Sequence, residues 1–96
     1  MIKLPQKEIA TFCRTHHIAK LSVFGSALTE DFGPDSDVDF LVEFEPGHVP
    51  GLIRLAGMER KLSELIGRKA DLRTAGDLSR YFRDEVVAAA VEQYAR

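Results

Sequence analysis

The chain has 96 residues, 45% apolar and 29% charged, close to folded-domain averages, which excludes a disordered or low-complexity protein and leaves room for one domain, residues 1–96. A net charge of -2 excludes the broad cationic surface that generic nucleic-acid binding requires, so no direct nucleic-acid partner is expected. The longest purely apolar run, residues 86–91, is too short to span a bilayer, and the lone Cys13 excludes an internal disulfide; a cytoplasmic protein with no membrane attachment is expected.

Pro5 suits a first helical position, and Ile9, Phe12, Cys13 and His16 recur on one face, so "LPQKEIATFCRTHH" predicts a helix. Cys13 reads there as a buried thiol, and His16 and His17 as groups favoured by the negative end of the helix dipole. "AKLSVF", residues 19–24, is short and β-favouring and stops at Gly25, which predicts a buried strand followed by a short helical turn or loop. "GPDS" predicts a turn, and "DVDFLVEF", residues 37–44, a second strand with Val38, Phe40, Val42 and Phe44 on one face. Phe24, Phe40 and Phe44 are expected in the core.

Beyond a loop at 45–51, Leu52, Leu55, Leu62, Leu65 and Ile66 trace a helical stripe that ends at Gly67, a natural C-terminal cap. Residues 68–74 predict a third strand, and residues 77–94 a closing helix striped by Leu78, Phe82, Val86 and Ala90. Helices alternating with short strands predict one layered α/β unit.

The chemistry gathers between residues 25 and 42. On a strand, Asp37 and Asp39 share a face about 6.6 Å apart, where their charges repel unless a cation joins them. Hard oxygen ligands in small number, completed by water and substrate phosphates, suit Mg²⁺. Asp71, inside the third predicted strand, is out of place without a partner. If that strand lies beside the second, three carboxylates bracket two metal ions about 3.5 to 4 Å apart, a spacing that serves nucleotidyl transfer. Gly25 and Ser26, where a strand gives way to a turn, offer backbone N–H groups with little cover, a cradle for phosphate oxygens.

Other motifs fail on their letters. An EF-hand beginning at Asp35 places Phe40 where glycine is needed and Pro46 where glutamate is needed. A phosphate-binding loop of the Walker type is excluded by Glu30 and Asp31. "DFG" at 31–33 lacks any other kinase motif.

Gly25-Ser26, ten residues, then Asp37-Val38-Asp39 resembles the signature of the nucleotidyltransferase superfamily related to DNA polymerase beta. The length and the stretch "RKADLRTAGDLSRYFRDEVVAAAVEQY" are similar to its minimal nucleotidyltransferase branch. The resemblance implies an α+β fold with a short mixed sheet and flanking helices. It implies ATP as substrate, Mg²⁺ held by Asp37, Asp39 and Asp71, phosphates bound at Gly25 and Ser26, and Asp71 as acceptor of the attacking hydroxyl's proton. Many members of the branch are antitoxins encoded beside a HEPN-domain toxin, which they silence by moving AMP onto a toxin tyrosine. That partner, in a hetero- or homo-oligomer, is therefore expected to supply the acceptor surface.

Relatives often carry Arg-Gly where this chain has Thr29 and Glu30, so a cation that would help on the triphosphate is missing. Arg54, Arg60, Lys61, Arg68 or Lys69 could supply that cation from elsewhere, but most of them read as charges on a solvated helix face. Two rival readings stay open: a catalytically weak antitoxin acting by binding alone, and a small-molecule nucleotidyltransferase of the aminoglycoside-modifying kind.

Overall fold

The computed structural model describes residues 3–96. In chain order it has α1 (Gln6–Thr15), β1 (Ile18–Phe24), a 3-10 turn (Gly25–Leu28), β2 (Val38–Phe44), α2 (Leu52–Ile66), β3 (Ala70–Arg73), a second 3-10 turn (Ala75–Asp77), α3 (Arg83–Ala89) and β4 (Val91–Ala95). The strands form one four-stranded sheet in the order β3-β2-β1-β4, with β2 and β3 parallel and the other pairs antiparallel. This is the mixed sheet with flanking helices that the resemblance implied.

Strand alternation decides which side chains meet the helices. Leu21 and Val23 of β1, Val38, Phe40 and Val42 of β2, and Leu72 of β3 are buried on one face against Ile9, Phe12 and Cys13 of α1 and Met58 and Leu62 of α2. Cys13 is a core thiol: burial pushes its pKa up to about 12, so it stays protonated and unreactive at neutral pH. Because Leu21 and Val23 face inward, Ser22 and Phe24 face the other way. Phe24, expected in the core, instead lies half-buried on the second face of the sheet, opposite Asp39.

The ends of α2 behave differently. Gly67 takes a left-handed φ of 77° and its N–H bonds to the Ser63 carbonyl at 2.9 Å, the C-terminal stop its position predicted. Leu52, expected to lead the buried stripe, is 86% exposed, and Ile53 beside it 92%. The helix is held through its later turns: the Ala70 N–H donates to Ser63 Oγ at 2.8 Å and the Leu72 N–H to Glu59 Oε2 at 2.7 Å. These two bonds also cover the outer edge of β3, which would otherwise be open to another chain.

The closing helix predicted over residues 77–94 is replaced by a short helix and a strand. α3 ends at Ala89, and Val91–Ala95 pairs antiparallel with β1, placing Tyr94 opposite Leu21. Helical periodicity in the isolated segment loses to the free edge of β1, whose unpaired N–H and C=O groups are satisfied only by a fourth strand. Removing residues 91–96 is therefore expected to leave β1 as a raw edge. Size-exclusion chromatography should show dimers or aggregates of the truncated chain, and a monomer of undiminished stability would contradict that account. No described helix is long and apolar enough to cross a membrane.

Candidate active site

The second face of the sheet collects the acids. In the parallel β2–β3 pair Asp39 stands in register with Asp71, and in the antiparallel β1–β2 pair it lies opposite Phe24. Neighbouring strands run about 4.8 Å apart, so the two carboxylates share a small volume. Burial raises the Asp39 pKa above its ordinary value, the charges of Asp71 and Asp37 push the same way, and Arg73 partly opposes them. Asp37 sits just before β2, half-buried, with Lys69 Nζ 3.7 Å from its Oδ2. Among the described residues no three His, Cys, Asp or Glu side chains form a ready metal cage. The fold thus brings Asp39 and Asp71 side by side, while Asp37 stays within electrostatic reach and leans on a lysine.

Gly25 touches this cluster directly. Its φ of +74° lies in the left-handed region, and a Cβ placed on it would meet Asp39 Oδ2 at 2.8 Å. Only glycine lets the chain turn here without striking the carboxylate. The turn that follows is pinned by Ala27, 1% exposed, and by Thr29, whose Oγ1 donates to the Ser26 carbonyl at 2.8 Å. Thr29 is therefore a brace of the 3-10 turn. Gly25 and Ser26 remain exposed at the strand end.

Past Asp39 the same face continues through Leu41, paired with Ser22, into a cleft of about 480 Å³ walled mainly by Leu41, Phe44, Val49, Val87 and Ala90. A glycine turn, a carboxylate cluster and an apolar cleft thus follow one another along one surface. The nucleotidyltransferase domain model matches residues 6–94, nearly the whole chain. The chain belongs to the nucleotidyltransferase domain family.

One relative of this nucleotidyltransferase, a Methanocaldococcus jannaschii protein provisionally named a protein adenylyltransferase, is 28% identical over 87 residues, spanning 91% of each chain. Among solved structures, a toxin–antitoxin complex with AMP-PNP superposes with a TM-score of 0.77 at 19% identity, covering 97% of this chain and 75% of that one. A Shewanella oneidensis complex of a tri-AMPylated HEPN toxin with its MNT antitoxin gives a TM-score of 0.68 at 18% identity, over 95% of this chain and 70% of that one. At these identities the two complexes establish the fold.

Arg68 was expected to be a solvated charge, but in this nucleotidyltransferase it is half-buried and in use. Its guanidinium lies 4.2 Å over the Phe32 ring and donates to the Gly33 carbonyl. Gly33 in turn closes a tight turn with Ser36, whose N–H donates to the Gly33 carbonyl at 3.1 Å while its Oγ accepts from the Gly33 N–H at 3.0 Å. Next along, the Val38 N–H donates to the Lys69 carbonyl at 2.8 Å. Residues 68 and 69 thereby hold the loop that delivers Asp37. The one sequence signal for this is that two cations directly precede the strand bearing Asp71.

Arg68→Ala removes the cation–π contact and the charge-assisted hydrogen bond together. It should cost about 1–3 kcal/mol and speed amide hydrogen exchange in residues 32–38 more than elsewhere. Exchange rising evenly across the sheet would show that Arg68 supports the fold as a whole and not this loop.

Proposed function

We propose that this nucleotidyltransferase transfers AMP from ATP to a hydroxyl of a partner protein, a tyrosine of a HEPN-type toxin, and so acts as the antitoxin of a toxin pair. The observation that carries the reading is the register of Asp39 with Asp71 beside Gly25, which puts two acids and a phosphate-accessible backbone turn at one point. The protein-adenylyltransferase name of a relative matching 91% of the chain supports the same activity. The complexes with AMP-PNP and with an AMP-modified toxin show the fold in that setting.

The donor set fits Mg²⁺. Carboxylate oxygens are its preferred ligands, and an Asp39 carboxyl whose pKa is raised first by burial and then by Asp71 and Asp37 is a site where a cation relieves the cost of the charge. Asp37, Asp39 and Asp71 would hold it, Asp37 leaving its contact with Lys69. When bound, the metal neutralises charge on the α-phosphate and the pyrophosphate leaving group.

The remaining roles fall to the protein's own groups. Backbone N–H groups at Gly25 and Ser26 orient the triphosphate, so that the acceptor oxygen approaches the α-phosphorus opposite the leaving group. The new bond joins that oxygen to phosphorus, the bond from phosphorus to the α–β bridging oxygen breaks, and pyrophosphate departs. Asp71 takes the hydroxyl proton. The apolar cleft beyond Leu41 offers a wall for the nucleoside or the acceptor side chain.

Glu30 and Thr29, in place of an Arg-Gly step, favour a second reading in which the protein neutralises its toxin by binding alone. Labelled ATP incubated with this protein, Mg²⁺ and the neighbouring gene's product separates the readings. Label on the partner is expected. Neutralisation of the toxin with no label on it supports binding alone, and label only on aminoglycoside-type acceptors would move the assignment to small molecules.

A further inference from the structure

At the end of the sheet remote from the acid cluster, basic side chains gather in a cleft. β1 runs from His17 toward Gly25, so its seven residues, at about 3.3 Å each, set the two ends roughly 20 Å apart. At the far end a cleft of about 410 Å³ opens between α1, the 45–51 loop and α2. His16, His17, His48, Arg54 and Lys61 line it, with no carboxylate among the lining residues. The rings of His17 and His48 stack at 3.9 Å with an interplanar angle of 16°. His17 holds its ring there from a left-handed φ of 57°, a conformation few non-glycine residues adopt.

These groups lack counter-charges. Among the described residues neither Arg54 nor Lys61 has a carboxylate within 4.0 Å. Of the acids near by in the chain or the fold, Glu45 is engaged by Arg96 at 3.1 Å, and Glu8 lines an adjoining groove together with His16 and Lys61. The first turn of α2, from which Arg54 projects, has no acidic residue and no side-chain cap, so its free N–H groups add positive potential. Burial, Lys61 and His17 all lower the His16 pKa, as expected where cationic groups crowd together.

We propose that this cleft is a second ligand site, distinct from the carboxylate cluster, that binds a phosphate group through Arg54, Lys61 and the imidazoles of His16, His17 and His48. An arginine fork and a lysine ammonium are the side chains best suited to tetrahedral phosphate oxygens, and imidazole N–H groups complete the donor set. Inorganic phosphate and the pyrophosphate released by nucleotidyl transfer share this chemistry. The proposal holds whichever transfer reaction the acidic end performs.

The test is a titration of the intact chain with inorganic phosphate and, separately, with pyrophosphate, followed by the histidine ring proton signals in NMR. Prior passage over a chelating resin leaves the acidic end metal-free, and therefore repulsive to anions, without adding a competing polyanion to the sample. The signals of all three histidines should shift together and saturate with either anion, the tighter one marking the physiological source. Arg54→Ala and Lys61→Ala should each weaken binding about tenfold, while Arg60→Ala, outside the cleft, should not. Both lining cations are exposed, so circular dichroism should show the variants folded. Shifts that do not saturate, that chloride reproduces, or that persist unchanged in Arg54→Ala would overturn the proposal.

Discussion

Asp39→Asn should abolish nucleotidyl transfer while raising, not lowering, the melting temperature of the metal-free protein. The loss of activity, on the order of a thousandfold, follows from removing a carboxylate that would hold the metal against the triphosphate. The gain in stability follows from the raised pKa of Asp39, caused first by burial and then by Asp71. A carboxyl whose folded pKa exceeds its unfolded value makes the folded state bind more protons than the unfolded one. Its charge therefore costs stability above the folded pKa, and the cost vanishes below the unfolded pKa.

The asparagine variant should thus melt higher than the native protein at neutral pH, with the gap closing as the pH falls into the ordinary aspartate range. Mg²⁺ supplies an independent readout: it should raise the native melting point by binding the folded state and leave the variant's nearly unmoved. Asp37→Asn should lose activity comparably but change stability little. Its contact with Lys69 is solvent-exposed, and such pairs contribute about 0–1 kcal/mol. Transfer at the native rate by the double variant would remove these residues from the mechanism. A fall in melting temperature for Asp39→Asn would remove the repulsion argument.

Gly25→Ala is the second large effect, and Gly47→Ala is its control. Both positions have a left-handed φ, +74° at Gly25 and +81° at Gly47. Each substitution should therefore cost about 1–2 kcal/mol in urea unfolding through the backbone alone. The difference lies in what the new methyl group meets: nothing within 4 Å at Gly47, but Asp39 Oδ2 at 2.8 Å at Gly25. Gly25→Ala must shift the Asp39 carboxylate within the acidic cluster, so transfer should fall by about a hundredfold, whereas Gly47→Ala should keep near-native activity. Equal activity in the two variants would mean that Gly25 serves the turn and not the site.

Much of this could be read from the letters because the controlling interactions are local. Helical spacing in α1, the glycine that ends α2, and the alternation of Val38, Phe40 and Val42 each specify an element through neighbours a few residues away. The spacing of Gly25-Ser26 from Asp37 and Asp39 is likewise a one-dimensional pattern, and it carries the family. Where neighbours along the chain do not decide, the letters mislead. Arg68 looks like any solvated cation until Phe32 and Gly33, thirty-five or so residues earlier, come under it. Phe24 looks like core until the inward parity of Leu21 and Val23 turns it toward Asp39.

What the amino-acid order determined by itself was the set of elements up to β3, the family, and the candidate acids and phosphate-binding turn, because periodicity, turn chemistry and motif spacing are properties of short stretches. What only the tertiary structure decided was that residues 91–95 form a strand, that Asp71 stands beside Asp39, and that basic side chains from the segment after α1, a loop and α2 line one cleft at the opposite end of the sheet. Each of these depends on pairing between distant segments. There the demand of an open sheet edge for hydrogen bonds outweighs local propensity, and charge accumulates at places no single segment contains.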